Sequence, residues 1–419
     1  MSTTAEESLE AAGVKRPDLP MPVWEFVAMI AAMMALNALA IDTMLPALHN
    51  IAESYALQDQ NDQQLVIFAY VAGFGAPQLV FGPVSDSFGR KRVVLACIVA
   101  YIATGFACMA ANSFAMLLAM RFLQGIAASG IRVIAVSVVR DLMGGRAMAR
   151  IMSLVMTVFM VVPILAPSIG QGVMLLAPWQ WTFGILGLAG IAMFGWISIR
   201  LPETLAPESR QPLNLAASFR AYKEVVTTPV TFGYMCASGV IIGALFAYVA
   251  SSEQVFRDVF NKPDTFVLWF AGIAGTLAVA NFMNSRIVER LGMRRVSHTV
   301  LFGFIALALA NTILMATMGE KLIIFYPLFA LTFACFGMIG ANFSSLAMEP
   351  LGHIAGTGSA AYGFMTTTVA SFIGWLVASR FDGSVVPLLE GYVGLGLACL
   401  AVVLVTERGR LFGTRDDVN

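Results

Sequence analysis

Three ionisable residues lie inside long apolar stretches, where their side chains would be removed from water. Asp42 belongs to "NALAIDTMLPAL", and Arg121 and Arg132 both belong to "MRFLQGIAASGIRV". A charge near the centre of a bilayer costs at least ~2.5–3.5 kcal/mol on insertion scales, so it needs a partner or an aqueous cavity. Residues of this kind are typical of ion and proton pathways.

Asp42 and Arg121 are predicted to lie at matching depths on two helices. At a rise of about 1.5 Å per residue, Asp42 lies ~9 Å and Arg121 ~10 Å from the same outer surface. Pairing would lower the cost of burying both charges, and protonation of Asp42 would then depend on its distance from Arg121. We expect Asp42 to bind a proton and Arg121 to tune it. The alternative is a static pair that only holds two helices together.

Further polar side chains in apolar stretches are candidates to line a central cavity. Arg132 follows Arg121 by eleven residues, which is three helical turns and about 20° of rotation, so both share one helix face with Gln124. Arg132 could bind an anionic substrate, attract a proton-carrying acid, or extend its charge to the membrane surface. The candidate cavity residues are Asn37, Tyr70, Gln78, Gln124, Arg132, Tyr248, Asn281 and Asn342.

The segment "GPVSDSFGRKR" (82–92) is predicted to be a loop in which Gly82 and Gly89 permit a tight turn. Asp86 could cap a helix or pair with arginines of "VVRDLMGGRAMAR" (138–150). We expect a gate at the membrane surface; the alternative is a solvated basic loop. The gate candidates are Gly82, Asp86, Gly89, Arg90, Arg140 and Asp141.

The second half of the chain repeats this segment as "SRIVERLGMRR" (285–295). Superposing Gly89 on Gly292 pairs Asp86 with Glu289 and Arg92 with Arg295. The offset is close to half the chain, which indicates two parallel repeats about an axis normal to the membrane. Two such halves could rock about a site that lies between them.

Twelve apolar segments are long enough to cross a bilayer, for which roughly 20 residues are needed. They fall near 23–48, 63–83, 93–111, 114–139, 150–176, 180–200, 229–252, 265–284, 296–317, 322–348, 355–379 and 384–406. The predicted fold is an all-α membrane protein of two six-helix halves. Its parts are a tail (1–22), a bundle (23–200), a linker (201–228), a bundle (229–406) and a tail (407–419).

The basic residues predict the orientation of these spans. Loops alternating from an inside N-terminus place 19 of the 25 Lys and Arg residues inside and four outside. Such an excess of basic residues marks the cytoplasmic side, so both termini should be cytoplasmic.

The composition excludes several other classes of protein. The chain is 58% hydrophobic and 12% charged, too few charges for a soluble protein of this length, and its formal net charge of +0 gives no attraction to nucleic acid. The spacing of the five cysteines is not that of a metal-binding or redox motif, so we expect them to pack between helices. We expect no cofactor and no metal. The fifth span holds Pro163, Pro167 and Gly170, which should kink it and let a neighbouring helix approach closely.

Taken together, these motifs resemble the major facilitator superfamily over nearly the whole chain. "GPVSDSFGRKR" is similar to the signature between its second and third helices, "RFLQG" (121–125) to its fourth-helix motif, and "VPILAPSIG" (162–170) to its fifth-helix antiporter motif. In the last motif, Ala166 and Gln171 stand where glycine is preferred. "IDTMLPAL", "VVRDLM" and "MEPLGHIAGTGSA" resemble twelve-span drug/proton antiporters of the bicyclomycin and chloramphenicol resistance type.

The resemblance implies proton-driven export of a small, partly hydrophobic compound by a monomer in a bacterial-type inner membrane. It also implies that Asp42 couples protons, that Arg121 supports it, and that Gly82, Asp86, Gly89 and Arg90 hold the inner gate. Uptake of a metabolite by proton symport is the nearest alternative. A membrane sensor is a second alternative, and no enzyme motif is present in the sequence.

Overall fold

The computed structural model describes residues 21–143, 145–210, 212 and 215–413, and within these ranges it contains α-helices and no strand. The first half comprises α1 (Val23–Asp42), α2 (Leu48–Ser54), α3 (Leu65–Gly75), α4 (Gln78–Phe88), α5 (Arg90–Met109), α6 (Phe114–Leu142), α7 (Gly145–Leu176) and α8 (Trp181–Arg200). The rest comprises α9 (Leu215–Thr227), α10 (Pro229–Gln254), α11 (Phe266–Leu291), α12 (Met293–Met318), α13 (Leu322–Met348), α14 (Ala355–Ala378) and α15 (Val386–Thr406).

The described helices confirm the predicted all-α membrane fold. Eleven are long and apolar enough to cross a membrane, and the bent pair formed by α3 and α4 makes up to twelve spans. The pair bends by 46° between Gly75 and Gln78. Pro77 lies at this break, because proline lacks the N–H of a continuous helix and its ring clashes with the preceding turn. The sequence predicted one continuous span here.

The repeat is visible in the backbone at the starts of α5 and α12. Gly89 has φ +94° and precedes α5, and Gly292 has φ +80° and precedes α12. Only glycine adopts these conformations readily. The predicted loop over 82–92 was otherwise wrong: residues up to Phe88 continue α4, and Gly82 is an ordinary helical residue. The helix persists because most of this segment packs against neighbouring helices.

Three helix pairs and short 3₁₀ turns join the halves. α14 packs along α3 and α4, α7 packs on α11, and the 3₁₀ turn Leu45–Ala47 between α1 and α2 contacts α10. We call the end of the bundle where α1 begins and α15 ends the terminal end, and the opposite end the far end.

Polar side chains seal the two halves together at the far end. The Gln64 amide donates to Gln254 Oε1 at 2.6 Å and to the Ala378 carbonyl at 3.1 Å. The Asn61 amide donates to the Phe381 carbonyl at 2.8 Å and accepts from Gln254 at 3.0 Å. We call these residues the far-end seal.

The predicted linker contains α9, which is anchored to both halves. Its Tyr222 hydroxyl donates to the Leu79 carbonyl at 2.8 Å, and α9 also packs against α14. Burial raises the pKa of Tyr222 to about 12, so the hydroxyl stays a donor at neutral pH.

Candidate functional site

Arg121 lies at the centre of the first half, with no exposed surface. Its guanidinium donates to the Val66 carbonyl at 3.1 Å, to Gln124 Oε1 at 2.8 Å and to the Ala40 carbonyl at 2.9 Å. Its Cζ also lies 4.4 Å from the centroid of the Tyr70 ring, a favourable cation–π distance. Arg121 therefore ties α6 to both α1 and α3.

The predicted ion pair between Asp42 and Arg121 is not formed. The donors of Arg121 bond neutral acceptors, and one of these acceptors is the carbonyl of Ala40, two residues before Asp42. The guanidinium thus rests against the backbone of α1 instead of against the carboxylate. Asp42 is 6% exposed and has no hydrogen bond or ion pair with any residue that the structure describes.

This arrangement leaves two buried ionisable groups without fixed counter-charges. Arg121 has no carboxylate partner among the described residues, and Asp42 has no basic one. Burying an unpaired charge is expensive, so such a group is retained where its charge state has a use. Both groups lie near the same stretch of α1, as the sequence predicted, although they do not touch.

Three candidate cavity residues join Arg121 in one cluster. The Tyr70 hydroxyl donates to Asn37 Oδ1 at 2.9 Å, and the Tyr70 ring faces the guanidinium that Gln124 also contacts. We call Asn37, Tyr70, Arg121 and Gln124 the first-half polar cluster. The Nε2 atom of Gln124 is buried without a partner in the described part of the chain, so the cluster keeps a free donor.

Arg132 lies at the junction of the two halves. Its Nη1 donates to Gln78 Oε1 at 3.1 Å, and the Gln78 amide donates to Thr367 Oγ1 at 3.2 Å. The guanidinium also lies 5.7 Å from the centroid of Phe74. Arg132 and Gln78 therefore connect α6 through α4 to α14 of the other half.

The candidate cavity residues of the second half do not form one site. Tyr248 is buried among aromatic rings, with Phe270 stacked at 5.5 Å between centroids, and its hydroxyl has no partner within the described ranges. The Asn342 amide donates to Asn284 Oδ1 at 2.9 Å. Asn281 lies one turn before Asn284 on α11 and is only partly buried. Sequence reasoning missed Asn284 because it ends the predicted eighth span, although an asparagine three residues after Asn281 shares its face.

Three of the gate candidates, Asp86, Gly89 and Asp141, lie around Arg90, whose side chain is 2% exposed. Its guanidinium pairs with Asp86 at 2.5 Å and with Asp141 at 2.8 Å. The sequence suggested arginines of 138–150 as partners of Asp86; instead, that segment contributes the acid Asp141. Arg140 points elsewhere: its exposed guanidinium lies over Gly356, at the start of α14 in the other half.

Glu203 completes the network around Arg90 and was not predicted. Its Oε1 accepts from the backbone N–H of Arg90 at 2.8 Å and from Thr204 at 3.1 Å. A carboxylate at the first residue of α5 is stabilised by the free N–H groups and the dipole of that helix. The only sequence signal was an acid directly after the sixth span.

The second half carries a different cluster at the terminal end. Met293 replaces the counterpart of Arg90, and Arg294 instead pairs with Glu407 at 2.8 Å. The Tyr234 hydroxyl donates to Glu407 at 2.6 Å and lies 3.2 Å from His298 Nε2. The second half therefore repeats the glycine of the predicted gate, as Gly292, but does not repeat the ion pairs of Arg90.

Comparison with known proteins decides the family. Residues 26–375 match the Major Facilitator Superfamily. The chain belongs to this superfamily.

The relatives of this facilitator include resistance proteins. It is 32% identical to the uncharacterized MFS-type transporter YdgK of Bacillus subtilis, over 84% of this chain and 88% of that one. It is 29% identical to a bicyclomycin resistance protein homolog of Haemophilus influenzae, over 87% and 91% of the two chains. These matches confirm the resemblance drawn from the motifs.

A solved structure shows the same fold. The crystal structure of a D-xylose–proton symporter matches with a TM-score of 0.72 at 12% identity, over 93% of this chain and 98% of that one. The family match over residues 26–375 and the transporter relatives show that the chain is a multi-pass membrane transporter and not an enzyme. Among its described residues no cluster of three His, Cys, Asp or Glu could hold a metal ion.

Proposed function

We propose that this facilitator exports a small, partly hydrophobic compound in exchange for protons, with Asp42 as the proton-binding carboxylate. The observation that carries the proposal is the burial of Asp42 without a partner in the described part of the chain, next to a segment of α1 held by Arg121. A carboxyl without a fixed ion pair can take up and release a proton without first breaking a contact. The resistance names of the relatives support a drug-like compound.

In this proposal Arg121 acts on Asp42 through the backbone and through space. Its bond to the Ala40 carbonyl at 2.9 Å fixes the last turn of α1, and its positive charge acts on any anion nearby. Tyr70 and Gln124 hold the guanidinium in that position. Arg121 is therefore a positioning residue, and Asp42 carries the proton.

The charge asymmetry of the loops supports a cytoplasmic terminal end and an external far end. In that orientation the far-end seal closes the transporter to the outside, because Gln64 and Gln254 join the halves there at 2.6 Å. Reorientation then requires these amides to separate. A second polar contact between the halves, from Gln78 of α4 to Thr367 of α14, lies nearer the middle.

The network around Arg90 would act as the cytoplasmic gate. It locks α4, α5, α6 and the start of the linker together, so that they move as one body. Arg140 reaches from the same region to Gly356, which gives that body a contact with the other half. A single chain supplies both halves, so a monomer in a bacterial inner membrane would suffice.

Inverted membrane vesicles test the proposed direction and energy source. Vesicles acidified inside by respiration should accumulate bicyclomycin or chloramphenicol as protons leave, and an uncoupler should abolish this uptake. The Asp42→Asn vesicles should not accumulate either compound, whereas Glu390→Gln, which changes an exposed acid near the start of α15, should match wild type. Loss of a preloaded compound from energised inverted vesicles would indicate import and contradict the proposal.

A further inference from the structure

A pocket of ≈ 290 Å³ opens between the two halves at the far end. It is bounded by the turn and helix that follow α1, the end of α7, the end of α10 and the segment that leads into α11. Its apolar walls include Pro46, Met174 and Phe266, and its polar walls include His49, Glu253 and Arg257. Pro46 lies one helical turn after Asp42, so the pocket is adjacent to the proposed proton site.

Glu253 is the unusual residue of this wall. It is 6% exposed, and its Oε1 accepts from Arg257 at 3.0 Å. Its Oε2 is buried and has no hydrogen-bond partner among the described residues. A buried carboxylate oxygen without a donor is costly, which indicates that a donor is supplied from the pocket in some state of the transporter.

The charges around the pocket favour a cation. Arg257 is shared, because it also donates to both oxygens of Asp258, at 2.8 and 3.0 Å. Asp264 adds a further acid to the wall, and His49 is bonded to Glu53 at 3.2 Å. Among the described residues that line the pocket, the acids Glu253 and Asp264 therefore outnumber the one fixed base, Arg257, which favours a positively charged ligand.

The backbone next to Glu253 is also irregular. α10 ends at Gln254 and continues as a π-helical turn over Val255–Val259. π-helical turns are rare and frequently occur at functional sites. Glu253 lies on the pocket just before this turn, and its neighbour Gln254 belongs to the far-end seal.

We propose that this pocket binds the ammonium group of an organic cation, with Glu253 Oε2 accepting its charge and the Phe266 ring and apolar walls holding its hydrocarbon part. This proposal rests on the proposed function in one respect: the cation is a compound that the transporter exports. An aromatic ring and an apolar wall favour an organic ammonium over a hydrated metal ion. Because the walls come from both halves, separation of the halves would release the ligand outward.

Equilibrium binding to the purified full-length protein tests this proposal without transport. The probe is benzylammonium, whose N–H groups can donate to Glu253 Oε2, and the matched control ligand is ethylbenzene, in which a methyl group replaces the ammonium. Maltoside micelles carry no ammonium headgroup, so lipid does not supply the cation. Wild type should prefer the cation, and Glu253→Gln should lower its affinity at least ~10-fold, as expected for loss of a charge-assisted contact.

Two further variants keep the test decisive. Glu390→Gln removes an exposed acid outside the pocket and should bind the probe like wild type. Met174→Trp fills the pocket with Glu253 intact and should weaken binding as well, which provides a second readout if Glu253→Gln does not fold.

Equal binding of the neutral ligand, or unchanged affinity in both Glu253→Gln and Met174→Trp, would overturn the proposal. Displacement of the probe by sodium at equal concentration would assign the pocket to an inorganic cation, and displacement only by added phosphatidylethanolamine would assign it to a lipid headgroup; either result also overturns it. Binding with failed export in vesicles would leave this site standing and refute only the proposed function.

Discussion

Replacing Gly125 by alanine tests the first-half polar cluster without changing any charge. Gly125 of α6 packs directly on α3: an added Cβ would contact the Tyr70 carbonyl oxygen and lie 2.9 Å from the Phe74 nitrogen. These are backbone atoms, so α3 itself must move away. Overpacking of this kind typically costs about 1–3 kcal/mol.

The displacement should act on Arg121 through Tyr70. The ring centroid lies 4.4 Å from the guanidinium carbon, and the same guanidinium donates to the Val66 carbonyl of α3 at 3.1 Å. A desolvated cation–π contact is worth roughly 2 kcal/mol, and a hydrogen bond to a charged group ~1.5–3 kcal/mol. Losing half of either interaction energy removes about 1 kcal/mol from the placement of Arg121. We therefore expect proton-driven export to fall about 3- to 10-fold.

The assay is proton-driven accumulation in inverted vesicles, normalised to the amount of inserted protein. Gly172→Ala is the matched control, because a Cβ at Gly172 meets nothing within 4 Å. Gly172→Ala should transport like wild type. Full coupled transport by Gly125→Ala at normal protein levels would refute the argument that the position of Tyr70 and Arg121 governs coupling.

Three further substitutions test other contacts. Arg121→Lys keeps the charge but cannot reproduce three diverging hydrogen bonds, so proton-driven uptake should fall at least ~10-fold while substrate binding persists; unchanged uptake would contradict this. Arg90→Gln leaves Asp141 without its buried partner and should lower the free energy of unfolding by about 3 kcal/mol. Denaturation in micelles measures this change, and unaltered stability would refute the gate network. Gly89→Ala should destabilise by about 1–3 kcal/mol because of φ +94°, whereas Gly82→Ala, where a Cβ meets nothing within 4 Å, should not.

The fold was predictable from the sequence because membrane spans depend on local composition. Runs of apolar residues, the repeated glycines and the basic loops sufficed for the helical bundle and the two halves. The break at Pro77 was missed because the residues around it are apolar on both sides, so hydropathy shows one span.

The candidate site was predictable in its residues but not in its contacts. Asp42 and Arg121 were found because charges are rare in such segments, and Arg121 indeed contacts the carbonyl of Ala40 near Asp42 at the end of α1. Which acceptors Arg121 uses depends on helix rotation and close packing, which the sequence does not specify. The link from Gln78 to Thr367 joins residues far apart in the chain.

Glu253 was missed for a different reason. It lies near the end of the seventh span, where polar residues are expected at the membrane surface, and nothing in the sequence distinguishes a buried acid from an exposed one there. Its surroundings combine a π-helical turn directly after it with a pocket wall shared with residues of the other half, and neither is visible in the sequence.

Asp42→Asn in proteoliposomes tests the central claim, that Asp42 carries the coupled proton. Two reactions are compared in the same preparation: accumulation driven by a proton gradient, and exchange of labelled for unlabelled compound with no gradient. The neutral amide keeps the shape of the side chain and cannot release a proton. The account predicts that driven accumulation disappears while exchange continues at near the wild-type rate. Gradient-driven accumulation that survives in Asp42→Asn would contradict it.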